Sequence, residues 1–129
     1  MKYAFFFLLA LAMLVEPLSA QDSKQDSKDS GKIMITIFLK HDQNMNFTEI
    51  QQQLQENGFW KIFPPDETEV VSWFVVMGVG QIVTLKLPPS KLRELNLAIE
   101  NGAWGAFSTD FYPTYDYIPI WKDMKEKYR

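Results

Sequence analysis

Hydrophobic and polar residues follow two different periods along the chain after residue 31. Four runs are rich in β-branched and aromatic residues and lack an internal breaker, which is typical of strands. These runs are residues 33–39, 70–77, 81–87 and 107–112. Gly78-Val79-Gly80 separates the second run from the third and predicts a tight hairpin turn. A shorter aromatic run, 59–63, ends at Pro64-Pro65 and is predicted to be extended.

Two segments with apolar residues at helical spacing predict amphipathic helices. The first begins at Asn46, with Glu49 in the N3 position of a capping box, and ends at Asn57-Gly58. The second begins at Pro88-Pro89-Ser90 and ends at Asn101-Gly102. The element order β-α-β-β-α-β predicts a ferredoxin-like α+β fold with one four-stranded antiparallel sheet and two helices.

Both faces of the first two predicted strands are apolar. The first strand places Ile33, Ile35, Ile37 and Leu39 opposite Met34, Thr36 and Phe38, and the second places Val70, Phe74 and Val76 opposite Val71, Trp73, Val75 and Met77. Two helices cover only one face of a sheet, so the other face would be an apolar patch larger than monomers usually expose. We therefore expect a homodimer that packs sheet to sheet.

The C-terminal stretch 115–121 offers an alternative cover. It is too apolar for a free tail, and it would fold back over its own sheet or reach onto a partner subunit. Pro113 and Pro119 predict an extended conformation there. Residues 122–129 form a charged tail with four basic and two acidic residues, predicted to be a frayed helical end.

The N-terminal residues have the three parts of an export signal. Lys2 precedes an apolar run of 13 residues, 3–15, and Ala20 stands where a signal peptidase would cut. The run is shorter than the roughly 20 residues that span a bilayer. We expect residues 1–20 to be a cleaved signal peptide, 21–31 a disordered leader and 32–121 the folded domain. The mature protein would then be periplasmic or extracellular, without stable membrane insertion.

The amino-acid composition excludes several kinds of partner and functional site. The net charge of −3 argues against a nucleic-acid partner. The chain has no cysteine, which excludes disulfides and thiolate catalysis, and its single histidine excludes any site that needs two. We therefore expect neither a metal site nor a cofactor.

Three segments resemble muconolactone isomerase-like proteins. They are Leu-Gln-Glu-Asn-Gly-Phe-Trp-Lys at 54–61, Val-Thr-Leu-Lys-Leu-Pro-Pro-Ser at 83–90 and Trp-Gly-Ala-Phe at 104–107. The resemblance covers about residues 33–113. It implies a dimeric α+β barrel, a superfamily that includes small monooxygenases and stress-response proteins and holds small aromatic or lactone-like molecules. None of that family's catalytic residues matches a position in this chain.

The topology brings the end of the first strand, the hairpin and the start of the fourth strand to one edge. His41 is the candidate proton shuttle there, and Asp42 is a candidate partner that would orient its imidazole. The alternative is that both belong to an ordinary polar loop. The candidate ligand-binding residues are Trp73, Gln81, Trp104, Phe107 and Tyr112. Aromatic residues of this kind also serve as core.

Two functions remain open at this point. The first is a small exported protein that binds an apolar or aromatic molecule, with isomerase-like or monooxygenase-like chemistry implied by the resemblance. The second is a non-catalytic exported interaction module. Whether the protein is an enzyme is left undecided by the sequence.

Overall fold

The computed structural model describes residues 29–129. The predicted signal peptide, 1–20, and residues 21–28 of the predicted leader lie outside the described residues. Gly31–Arg129 form one compact unit. Its elements are β1 (Ile33–His41), α1 (Phe47–Glu56), α2 (Phe59–Ile62), β2 (Glu69–Val76), β3 (Gly80–Leu87), a 3₁₀ turn (Pro89–Lys91), α3 (Leu92–Gly102), β4 (Phe107–Thr114) and α4 (Ile118–Lys127).

The four strands form one antiparallel sheet in the order β2-β3-β1-β4. This arrangement confirms the predicted ferredoxin-like α+β fold. Alternate residues of the central strands β1 and β3 point to one side, the inner face, where they are buried against α1 and α3. The core residues from these four elements are Ile35, Ile37, Leu39, Val83, Leu85, Leu87, Ile50, Leu54, Leu95, Ala98 and Ile99. Burying each large aliphatic side chain contributes about 1.5–3 kcal/mol, so the inner face holds the domain together.

The start of α1 is fixed by the predicted capping box. The Asn46 side chain accepts a hydrogen bond from the Glu49 N–H at 3.0 Å, and the Glu49 carboxylate accepts one from the Asn46 N–H at 2.7 Å. Asn57 caps the other end of α1, and its amide group donates to the carbonyl oxygens of Gly102 and Trp104 at 3.0 and 2.9 Å. One side chain thereby ties the end of α1 to the end of α3.

The prediction of an extended segment at 59–63 is wrong, because Phe59–Ile62 is the short helix α2. The helical turn buries Phe59 and lets its ring stack on Phe63, with the centroids 4.9 Å apart. Trp73 of β2 meets both rings edge-on. Packing of these aromatic rings in the core outweighs the β propensity of the isolated run.

The second strand contains a β-bulge between Val70 and Ser72. Val71 is the extra residue, so Val70 pairs with Leu85 and lies on the inner side, as Trp73 does. The predicted grouping of Val70 with Phe74 and Val76 is therefore wrong. In a regular strand, side chains two positions apart point to the same face. A bulge adds one residue, so side chains two positions apart across it point to opposite faces.

The extended conformation predicted for 115–121 is also wrong from Ile118 onward. Pro119 lies in the first turn of α4, a position where the missing N–H has no helical partner to lose. The Asp116 carboxylate accepts a hydrogen bond from the Ile118 N–H at 2.8 Å and helps to begin the helix. β4 also continues through Pro113, which an edge strand tolerates.

Every side chain of residues 115–121 is exposed, and so is every other side chain of α4. The C-terminal stretch therefore does not fold back as a cover for its own sheet. Within residues 29–129, none of the helices combines the length and apolar character needed to cross a membrane.

Gly102 allows α2 and α3 to approach closely. A Cβ atom at this position would lie 3.1 Å from Cδ2 of Phe59 and 3.2 Å from Cδ1 of Ile62. We expect Gly102→Val to lower the free energy of unfolding by about 1–3 kcal/mol, because its added methyl groups overpack this contact. Asn101→Val is the matched control, since Asn101 is exposed on the same helix. Urea denaturation would compare the variants, and equal losses would contradict the steric explanation.

Candidate ligand-binding surface

The predicted gathering of strand ends at one edge is confirmed. Lys40 of β1 pairs with Gly80 of β3, and His41 pairs with Phe107 of β4. The His41 N–H also donates to the Val79 carbonyl oxygen at 3.0 Å. Gly80 has φ 141°, and a Cβ there would collide with the Leu39 carbonyl oxygen. Only glycine therefore lets the hairpin close this tightly against β1.

His41 and Asp42 have different environments at this edge. The His41 imidazole is exposed and stacks on the ring of Phe107, with centroids 5.7 Å apart and an interplanar angle of 18°. The Asp42 carboxylate accepts hydrogen bonds from the backbone and side-chain nitrogens of Asn44 at 2.9 and 3.0 Å. These bonds give Asp42 a turn-forming role in the loop.

An open depression of about 450 Å³ adjoins this edge. Its lining consists of His41, Asp42, Gln43, Gly105, Ala106, Phe107 and Ser108. The depression is a groove between the β1–α1 loop and the start of β4. A ligand bound there would contact the His41 imidazole and remain exposed to solvent on one side.

The five predicted ligand-binding residues occupy three separate places. Trp73 and Gln81 are joined by a hydrogen bond from the indole N–H to the amide oxygen at 2.6 Å, on the β2–β3 hairpin. Trp104 is exposed beside the buried Phe107, and its indole donates to the Thr109 hydroxyl at 3.0 Å. Tyr112 lies on the opposite side of the sheet. The structure thus brings Trp104 and Phe107 beside His41. Gln81 lies next to the hairpin at the same sheet edge but does not line the groove, and Trp73 and Tyr112 lie elsewhere.

The side of the sheet that α1 and α3 leave uncovered is called the outer face here. Its central residues come from alternate positions of β1, β3 and β4: Met34, Thr36, Phe38, Lys40, Ile82, Thr84, Lys86, Ser108, Asp110, Tyr112 and Thr114. Phe74 and Val76 of β2 extend it to the edge. The expectation of an apolar patch is met only in part, because hydroxyl and charged groups alternate with the apolar side chains.

A chain of three hydroxyl groups crosses the outer face. The Thr36 hydroxyl lies 3.0 Å from the Thr84 hydroxyl and accepts a hydrogen bond from Thr114 at 2.7 Å. Three hydroxyls have three protons and six lone pairs, and the bonds between them use only some of the lone pairs. The chain can therefore accept further hydrogen bonds from a molecule that lies on the face.

Aromatic rings lie directly beside this hydroxyl chain. Phe38 and Tyr112 meet edge to face, with ring centroids 5.9 Å apart. Phe74 on β2 is aligned with Ile82, which is aligned with Phe38, so the apolar row continues to the sheet edge. Phe74 and Tyr112 are 66% and 55% exposed. The arrangement offers a flat apolar surface bordered by hydrogen-bond acceptors.

An ion pair lies beside the Phe38–Tyr112 pair, on the side away from the hydroxyl chain. The ammonium group of Lys40 lies 2.6 Å from a carboxylate oxygen of Asp110. The hydrogen bond to Asp110 and its negative charge raise the pKa of Lys40 above the usual 10.5. Both side chains are about two-fifths exposed, at 40% and 42%, so solvent screens the pair.

The threonine and charged members of this surface were absent from the candidate residues predicted by sequence. A usable signal was the alternation Ser108, Asp110, Tyr112, Thr114 in the fourth strand. What the sequence does not carry is the register that places Asp110 beside Lys40 and Thr114 beside Thr36.

Comparisons of the chain with protein-family models, with curated proteins and with solved structures returned no match.

The Lys40–Asp110 pair predicts a pH-dependent difference in stability. Because the pKa of Lys40 is raised in the folded state, the pair's contribution is complete below about pH 10.5 and is lost as the pH rises through the folded-state pKa. We expect the difference in Tm between the native protein and Lys40→Met to be constant from pH 7 to 9 and to shrink above pH 10.5. Lys61→Met, at an exposed position on α2, is the control. A difference that persists unchanged at pH 12 would contradict the assignment.

Proposed function

We propose that this protein is an exported binding protein for a small aromatic molecule that carries a hydrogen-bond donor, held on the outer face between two copies of the chain. The observation that carries the proposal is the hydroxyl chain of Thr84, Thr36 and Thr114 beside the Phe38–Tyr112 pair. An aromatic ring stacks on the apolar row, and its hydroxyl or amide group donates to the threonine oxygens. Export rests on the predicted signal peptide.

A sheet-to-sheet homodimer completes this site. A ligand on one open sheet would stay largely hydrated, whereas binding sites typically bury most of a small ligand's surface. A second outer face would supply the opposite wall and would remove Phe74, Ile82 and Val76 from water. Burial of apolar area contributes roughly 25 cal/mol per Å². The three threonine hydroxyls bond to one another and Lys40 pairs with Asp110, so the desolvation of these groups is less costly than for unpaired groups.

A non-catalytic interaction module is the second candidate. It is favoured by the exposure of apolar side chains on β2 and α4, which form no part of the hydroxyl chain. A binding protein and an interaction module differ in whether a small molecule occupies the outer face.

Binding of phenol tests the first candidate. Residues 21–129 would be titrated with phenol, benzyl alcohol and indole while methyl and aromatic NMR signals are followed. We expect shifts centred on Thr36, Phe38 and Tyr112, and about a five-fold weaker affinity for Thr36→Val because one hydrogen-bonding group is lost. Thr48→Val, at an exposed position on α1, should leave the affinity unchanged.

Two results would contradict the binding proposal. Shifts centred on His41 and Phe107 would move the site to the predicted edge. Unchanged spectra at saturating concentrations of all three probes would favour the interaction module.

Substitution of Phe74 tests the dimer. Light scattering of residues 21–129 at micromolar concentration should give the mass of two chains. Phe74→Lys places a charge on the outer face and should shift the mass to that of one chain, because an unpaired charge buried at an interface is strongly unfavourable. Phe47→Lys is the control, since Phe47 is 72% exposed on α1, away from the sheet. A monomeric native protein would refute the sheet-to-sheet dimer.

A further inference from the structure

The strand β2 is an apolar sheet edge. It stands at the end of the strand order, so one side of its backbone pairs with β3 and the other has no strand beside it within the described sheet. The ten residues 70–79 carry no charge, and Val75 and Met77 are 69% and 94% exposed. Natural sheets protect such edges with lysine, proline or a covering helix. β2 contains neither lysine nor proline, and the bulge at Val71 interrupts this edge at one point only.

The helix α4 has a matching apolar stripe. Tyr117, Trp121, Met124 and Tyr128 recur at spacings of four, three and four residues, which places them on one side of the helix. All four are exposed. Lys125 borders the stripe, with its ammonium group 5.2 Å from the centre of the Trp121 ring. Asp123 and Glu126 lie on the opposite side of the helix by the same periodicity.

The charges of the two parts are complementary. Residues 118–129 carry four basic and two acidic side chains, a net charge of +2, whereas residues 31–117 carry six basic and ten acidic side chains, a net charge of −4. Three of those carboxylates, Asp66, Glu67 and Glu69, are exposed at the start of β2. The hydrogen bond to Glu94 chiefly raises the pKa of Lys91, and the negative charges of Glu67 and Asp66 add to that rise. The acidic loop therefore already stabilises a nearby cation.

The helix cannot lie along the β2 edge of its own chain. β4, which leads to α4, and β2 are the opposite edges of the sheet, separated by three strand spacings or about 14 Å. The connection from Thr114 to Ile118 is four Cα steps, which would span about 14 Å only if it were fully extended. It is shorter than that limit, because Tyr117 has helical backbone angles and the Asp116 carboxylate turns back to the Ile118 N–H. A second copy solves the problem, because a two-fold axis parallel to the strands reverses the sheet order and places β4 of one copy over β2 of the other.

We propose that α4 of each copy docks along the β2 edge of the other, with its apolar stripe on residues 70–77 and its basic side chains beside the acidic residues Asp66, Glu67 and Glu69. The exchange rests on the sheet-to-sheet dimer proposed above and adds a covering helix to each exposed edge. It also gives α4 a defined partner in place of solvent.

Disulfide trapping tests the exchange, and the absence of native cysteine makes it clean. Met124→Cys protein would be mixed with Val71→Cys protein in one sample and with Val75→Cys protein in another, at micromolar concentration under mild oxidation. We expect a covalent heterodimer in at least one mixture. Met124→Cys mixed with Phe47→Cys is the control for random collision and should remain at background.

Charge reversal provides an independent measurement. Lys125→Glu should weaken dimerisation by about five-fold, as expected for the two screened ion pairs that a symmetric exchange contains. Glu67→Lys in the same chain should recover most of that loss, whereas Glu126→Lys, on the opposite side of α4, should change the dissociation constant little. Sedimentation equilibrium would measure each variant.

The outcomes separate this inference from the proposed function. A native dimer that binds phenol but gives only background trapping would overturn the helix exchange alone. Trapping within a single chain of the Met124→Cys, Val71→Cys double variant would show that α4 contacts its own sheet and would also overturn it. A monomer that co-sediments through α4 with phosphatidylglycerol vesicles would assign the helix to a lipid surface and refute both proposals.

Discussion

The structure depends on burying one aliphatic sheet face under two helices. The inner sides of β1 and β3 are almost entirely isoleucine, leucine and valine, and α1 and α3 each add a stripe of the same kind. The helices are held in place at their ends, where the Asn57 amide donates to the carbonyl oxygens of Gly102, the last residue of α3, and of Trp104. The short helix α2 fits against α3 only because residue 102 lacks a side chain. Everything that faces outward is positioned by this packing.

The strand pair β1–β4 carries three successive diagonal contacts of different chemistry. Lys40 and Asp110 form an ion pair, Phe38 and Tyr112 an aromatic pair, and Thr36 and Thr114 a hydrogen bond. All three join a β1 residue to the β4 residue two positions beyond its register partner. The sheet twist, common to all strands, makes these diagonal neighbours close. A charged, an aromatic and a hydroxyl zone therefore lie side by side on one surface.

Local patterns in the sequence predicted the elements whose signals are local. The capping box at Asn46 and Glu49 and the four strand runs appear in the structure within one or two residues. The wrong predictions concern segments whose conformation depends on contacts with other parts of the chain. Phe59 becomes helical because its ring packs with Phe63 and Trp73, and a short run rich in aromatic residues does not reveal that packing.

The candidate site was harder to predict than the fold. The topology correctly brought His41, Gly80 and Phe107 to one edge, because strand order alone determines which ends meet. The hydroxyl chain requires the pairing register of three strands, and Thr36 and Thr84 are separated by 48 residues. Single threonines in strands are common and carry no sign of such a neighbour.

The bulge at Val71 divides β2 into two phases. Residues before it are offset by one position relative to those after it, although the sequence there looks like one uninterrupted strand. Deleting Val71 would leave composition and hydropathy almost unchanged. The side chains of the acidic segment at the start of β2 would nevertheless point to the opposite side of the sheet. One inserted residue thus determines the face of the sheet on which the acidic side chain at the start of β2 lies. A change of one residue in length is enough to move that charge to the other face.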